Sequence, residues 1–153
     1  MRTYEEMIIK ADEEGIEVIE MDFKGNAKGY CCDNVISISN KLTTNKEKKC
    51  TLIEEISHLK NNIGNILDQS DIRNRKQERL ARTWGYEKLV GIIDLVSAYN
   101  NGVRNRYELS EYLDVTEEFI DSALKYYKEK YGLFYEIDNY IVYFEPLVII
   151  KKF

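Results

Sequence analysis

Apolar positions spaced three and four residues apart mark most of the chain as helical. Leu52, Ile56, Leu59 and Ile63 form one side of a helix that opens at Thr44, with Glu47 at capping-box spacing, and runs to about residue 62. Gly64 and the polar run Asp68 to Asn74 read as the following loop, and a long helix is predicted over about 75–99, closed by Asn100-Asn101-Gly102. Tyr107 to Leu113 reads as a short helix. Asp114 and Glu117 repeat the capping spacing before another helix, whose apolar side carries Phe119, Ile120, Ala123, Leu124, Tyr127 and Tyr131 and which closes at Gly132. Nearer the N-terminus, residues 3–14 predict a short helix ending at Gly15. The period then changes to two. Ile16, Val18 and Met21 alternate with acidic residues, and Lys28–Cys32 and Val35–Ser39 read as two strands joined by Asp33-Asn34. Together these predict a small antiparallel sheet. Residues 133–150, rich in aromatic and β-branched types, predict a hairpin turning at Asp138-Asn139.

The fold class is therefore α+β, mostly helical. One proline and the lack of a Gly/Ser-rich linker favour a single domain over 1–153, with a core over 1–100 and a helical and hairpin subregion over 101–153. A net charge of −5 places the chain at a disadvantage for non-specific binding to phosphates. The local run Arg73, Arg75, Lys76, Arg79 and Arg82 reads as a solvated helix face. Three cysteines, Cys31, Cys32 and Cys50, two of them adjacent, do not make a disulfide framework, and reduced thiols fit a cytoplasmic setting. No secretory pattern opens the sequence, and the apolar stretch 89–99 is too short to span a bilayer.

The chemistry concentrates in Leu52-Ile53-Glu54-Glu55-Ile56-Ser57-His58-Leu59. On a helix, Glu54 and His58 lie one turn apart and point the same way, so a carboxylate and an imidazole can bind one metal ion. Zinc accepts such N and O donors at about 2.0–2.2 Å. Glu55 lies about 60° around the helix from His58 and is placed instead to hold a water and take its proton, as the glutamate of a His-Glu-x-x-His helix does. His58 is the single histidine, so further ligands must be mostly carboxylates. Glu78 is the candidate, since Ala81 and Gly85 on its own face leave room for another helix to approach. The same residues also suit a solvated polar face, because the apolar stripe lies nearly opposite them. A site built from Cys31, Cys32 and His58 is disfavoured, because adjacent strand residues point to opposite faces.

Three stretches resemble the ImmA/IrrE metallopeptidases of prophages and integrative elements: Asn34-Val35-Ile36-Ser37-Ile38, Lys49 to His58, and Gln77-Glu78-Arg79-Leu80-Ala81-Arg82-Thr83-Trp84. The stretch from Lys49 to His58 resembles a phage-type zinc helix in which Glu-Glu-x-x-His stands for His-Glu-x-x-His. The stretch from Gln77 to Trp84 is similar to the family's Glu-x-x-Ala-Asn-x-Phe-Ala helix, with Arg82 where Asn is usual. The resemblance implies a zincin-like active-site helix packed on the N-terminal sheet, His58, Glu54 and Glu78 as zinc ligands, and Glu55 as general base. Two carboxylates among three ligands imply weak, replaceable zinc. The implied activity is endopeptidase cleavage of a helix-turn-helix repressor, relieving repression of the element's genes.

Two other classes compete. Residues 107–127 have a helix-turn-helix pattern, but Glu117, Glu118 and Asp121 on the second helix would repel phosphates, so direct nucleic-acid binding is not expected. Alternatively Glu54 marks a decayed site, and the chain is a catalytically inactive antirepressor-type module that binds its partner without cutting it. No membrane association is expected on either reading.

Overall fold

A computed structural model describes residues 3–60 and 72–153, with the backbone alone at 72–75, 77, 78 and 81. The chain divides into two compact units, residues 1–85 and 86–153. The expected loop over 64–74 begins among residues outside the description.

The first unit opens with α1 (Tyr4–Glu13). Thr3 caps it: the hydroxyl accepts from the Glu6 amide and the Glu6 carboxylate accepts from the Thr3 amide, satisfying two otherwise orphaned donors. Tyr4, Met7 and Ala11 form its buried stripe, and Gly15, at φ +82°, turns the chain out. Three strands follow: β1 (Glu17–Met21), β2 (Gly29–Cys32) and β3 (Val35–Ser39). Their order is β1-β3-β2, with β2 antiparallel and β1 parallel to the central β3. The sheet is thus mixed rather than wholly antiparallel. The departure has a simple cause: the chain after β1 crosses over to reach β2 before β3 comes back between them. Asp33 takes the left-handed conformation, φ +54°, in the two-residue turn between β2 and β3, a position Asp tolerates. Ile36 and Ile38 are fully buried on the central strand.

Against this sheet packs α2 (Asn45–Lys60). Thr44 and Glu47 form the predicted cap, with the Glu47 amide donating to the Thr44 hydroxyl. The helix is not one-sided. Lys49, Cys50, Thr51, Leu52, Ile53, Glu55, Ile56 and Ser57 are all buried, so several of its polar residues lie inside the unit rather than on a solvated face. Leu52 and Ile56 of the predicted stripe are among them, while Ile63 lies outside the described residues. Next comes α3 (Ile72–Leu89), within which the division between units falls.

The long helix expected over 75–99 is in fact two. α3 stops at Leu89 and α4 spans Ile92–Asn100. Gly91 adopts an extended ψ of 158°, and its amide donates to the Asp94 carboxylate at 3.0 Å, which starts a new helix instead of continuing the old one. In the second unit, α5 (Arg106–Leu113) and α6 (Glu117–Tyr131) follow. Asp114 does not cap α6 as the spacing suggested. It sits at φ +56° and closes α5, and the Thr116 hydroxyl accepts from the Phe119 amide as the true N-cap. Between the helices, the buried Ser110 hydroxyl donates to the Val115 carbonyl at 2.6 Å. A three-stranded antiparallel meander ends the unit: β4 (Phe134–Ile137), β5 (Tyr140–Phe144) and β6 (Leu147–Lys151). The turn at Asp138-Asn139 lies where the sequence placed it, with Asp138 at φ +51°. The core of this unit gathers Val90, Leu95, Leu109, Leu113, Ile120, Val142 and Phe144. Inside it the Tyr127 hydroxyl donates to the Val90 carbonyl, 2.8 Å away, and burial pushes its pKa well above the ordinary tyrosine range.

Candidate metal centre

The site lies in the first unit, where β2 meets the middle of α2. Strand alternation sends Gly29 and Cys31 to the same face of β2, and that face borders the helix. Gly29 lets the two backbones approach. A Cβ at this position would stand 2.7 Å from the Thr51 methyl and 3.2 Å from Glu55 Cγ. With no side chain there, Glu55 is held close beside the strand, and Cys31 follows two residues along.

Cys31, Glu55 and His58 bring one donor atom each to within 4.8 Å of one another. Glu55 and His58 are successive along one helical turn, with Oε2 of the first 3.3 Å from Nδ1 of the second. Both side chains are 12% exposed, enough seclusion to strengthen electrostatic contacts while leaving a way in for solvent. The 3.3 Å separation is long for a charge-assisted hydrogen bond. Thiol, imidazole and carboxylate form a donor set suited to zinc.

The residues singled out from sequence fare differently. Glu55 and His58 come together. Glu54 sits half-buried on the same helix, outside the group of three. Glu78 belongs to α3, and its side chain lies outside the described residues, as does that of Ala81. Gly85 is buried, and Arg82, Arg79 and Lys76 are exposed. Cys31 is the residue that sequence reasoning set aside. Alternation does separate the pair, since Cys32 is exposed while Cys31 is half-buried at the site. It says nothing against Cys31 acting alone. The available signal was Gly29, a glycine inside a strand two residues before a cysteine, which marks a close backbone approach on the cysteine's own face. Lys49, completely buried on α2, was likewise unremarked.

In the second unit, Arg106 pairs with both Glu117 and Asp121, at 3.0 and 2.7 Å, so two of the three carboxylates expected to repel phosphates share one arginine within the α5–α6 pair. Among the described residues no helix is long and apolar enough to cross a membrane.

The family described as IrrE N-terminal-like domain, peptidase M78, matches residues 11–125. No curated protein and no solved structure shows a significant match.

Proposed function

From the premise that this chain belongs to the IrrE N-terminal-like peptidase family, a metallopeptidase-type domain, we propose that it is a zinc-dependent endopeptidase acting on a helix-turn-helix repressor of a prophage or mobile element. The observation that carries this reading is the convergence of Glu55, His58 and Cys31 in one largely buried cluster of the first unit. His58 holds the ion. Glu54, one turn before it, and Glu78 on α3 supply the carboxylate ligands that the family resemblance implies, and Cys31 offers a competing sulfur donor. When bound, the metal acts as a Lewis acid that polarises a peptide carbonyl. Glu55 accepts the proton of the attacking water and returns it to the departing amine. Its carboxylate lies beside the His58 ring and is pinned by the close β2 backbone, so its position is fixed before substrate arrives. Among the described residues β2 is an edge strand, and its unpaired side is suited to an extended peptide adding as a further strand.

The test is metal content and cleavage measured together on chain purified without chelator. Wild type is expected to carry about one zinc per chain, the loading of a three-ligand catalytic site, and to lose it in His58→Ala. Glu55→Gln is expected to keep the metal and the bound repressor but not the cleavage; loss of metal in that variant makes Glu55 a ligand instead. Glu54→Gln, Glu78→Gln and Cys31→Ser, compared side by side, identify the remaining ligands. A wild-type chain that takes up no metal when zinc is supplied overturns the peptidase reading and leaves an inactive partner-binding protein.

A further inference from the structure

The second unit contains a cavity of about 640 Å³ framed by α4, α5, α6 and the β5–β6 turn. Its size falls within the ordinary range for small-molecule sites, roughly 300–1,000 Å³. The walls are mainly apolar, with Leu95, Leu109, Leu124, Phe144 and Ile149 contributing. Four charged side chains also line it: Arg104, Arg106, Asp121 and Glu145. Three are already committed. Asp121 is paired with Arg106, which also holds Glu117, and Glu145 is paired with Lys128 at 2.9 Å.

Arg104 is different. Its Nη1 donates to the carbonyls of Tyr99 and Val103, both at 3.0 Å, and its guanidinium lies 4.9 Å from the centre of the Tyr99 ring. These contacts fix the plane of the group without neutralising its charge, and no described carboxylate pairs with it. A guanidinium carries five N–H donors, and the Nε–Nη2 edge is the fork that grips a carboxylate through two parallel bonds. The cavity therefore combines an apolar interior with one oriented, uncompensated positive charge at its wall.

We propose that this cavity binds a small amphipathic carboxylate, a fatty-acid-like molecule whose single apolar tail fills the interior and whose head group pairs with Arg104. The chemistry favours an anionic head group over a cationic one, which Arg104 would repel. It disfavours a neutral one, which would leave the guanidinium fork unanswered. The inference is independent of the metal centre, since every residue it uses lies within 86–153.

The experiment is calorimetric titration of the full chain with three probes sharing one tail, each below its micelle concentration: dodecanoate, dodecan-1-ol and dodecyltrimethylammonium. Dodecanoate is expected to bind saturably at a single site and about tenfold more tightly than either of the others, the worth of one charge-assisted pair. In Arg104→Gln, an exposed position whose change should leave the fold intact by circular dichroism, that preference is expected to vanish. Ile149→Trp, which puts an indole into the cavity and narrows it, is expected to weaken binding of all three. Equal affinity for the three head groups, a preference that survives Arg104→Gln, or no saturable binding of dodecanoate each overturns the proposal.

Discussion

Replacing Gly29 with alanine adds one methyl group at a close contact between β2 and α2. The new Cβ would lie 2.7 Å from the Thr51 methyl, well inside van der Waals contact, and 3.2 Å from Glu55 Cγ and 3.3 Å from the Ser37 carbonyl oxygen. None of these neighbours yields readily. Thr51 is buried and β-branched, with restricted χ1; Ser37 presents backbone; Glu55 is one of the three site residues. The strand and helix must therefore separate by a fraction of an ångström. Overpacking of this kind costs about 1–3 kcal/mol. Trp84, the only tryptophan, lies in the first unit and reports its unfolding by fluorescence. With a urea slope of about 1 kcal/mol/M, the midpoint for Gly29→Ala should fall by roughly 1–3 M. Zinc affinity should fall roughly tenfold, because the strand that carries Cys31 is pushed away from the helix that carries His58. Gly25→Ala is the matched control. At φ +88° with nothing within 4 Å, it suffers backbone strain of about 1–2 kcal/mol but touches no site residue. It should lose comparable stability and keep its zinc affinity. If Gly29→Ala matches wild type in both measurements, or the two variants weaken zinc equally, Gly29 does not seat Glu55.

Three further outcomes follow from particular bonds. Tyr127→Phe removes a buried donor from the Val90 carbonyl and should destabilise the second unit by about 1–3 kcal/mol, measured by thermal unfolding followed in near-ultraviolet circular dichroism. Thr116→Ala should cost about 1 kcal/mol in the same assay, whereas Asp114→Gly should be neutral or mildly stabilising, because Thr116 is the cap and Asp114 occupies a left-handed position. The Glu87 carboxyl is held below its ordinary 4.5, chiefly by the Tyr126 hydroxyl and then by Lys130. A depressed folded value means its contribution is complete above about 4.5 and disappears as pH falls through the lower folded value. Acid unfolding of wild type should therefore be steeper below that point than in Glu87→Gln, and coincident curves would count against the network.

Most of the architecture was readable because local chemistry and tertiary placement agree. Both Asp-Asn pairs turn hairpins, Gly15, Gly102 and Gly132 all sit at positive φ where helices end, and Thr44 caps α2. What escaped reading was decided at longer range or by one ambiguous residue. Gly91 resembled an interior glycine of a long helix, until Asp94 supplied a cap for it. The parallel β1–β3 pairing rests on partners eighteen positions apart, Glu17 and Val35, which alternation alone cannot assign. At the site, spacing along α2 brought His58 and the two glutamates to notice. It could not show which carboxylate faces β2, nor that a cysteine from that strand would complete the cluster.

The strand order also sets a sequence of events in time. Pairing β2 with β3 closes a two-residue turn, whereas pairing β1 with β3 must first immobilise everything between Glu17 and Val35. Chain-closure entropy makes the short loop the faster to form. The hairpin bearing Cys31 is thus expected to pair before β1 joins it, and the helix bearing Glu55 and His58 carries its own cap. Neither fragment contains the centre. It exists only after helix and hairpin dock through the gap at Gly29, so on the proposed function an ion that favours the assembled cluster draws the unfolded chain toward its native state, and a chelator would work against folding as well as against the proposed cleavage.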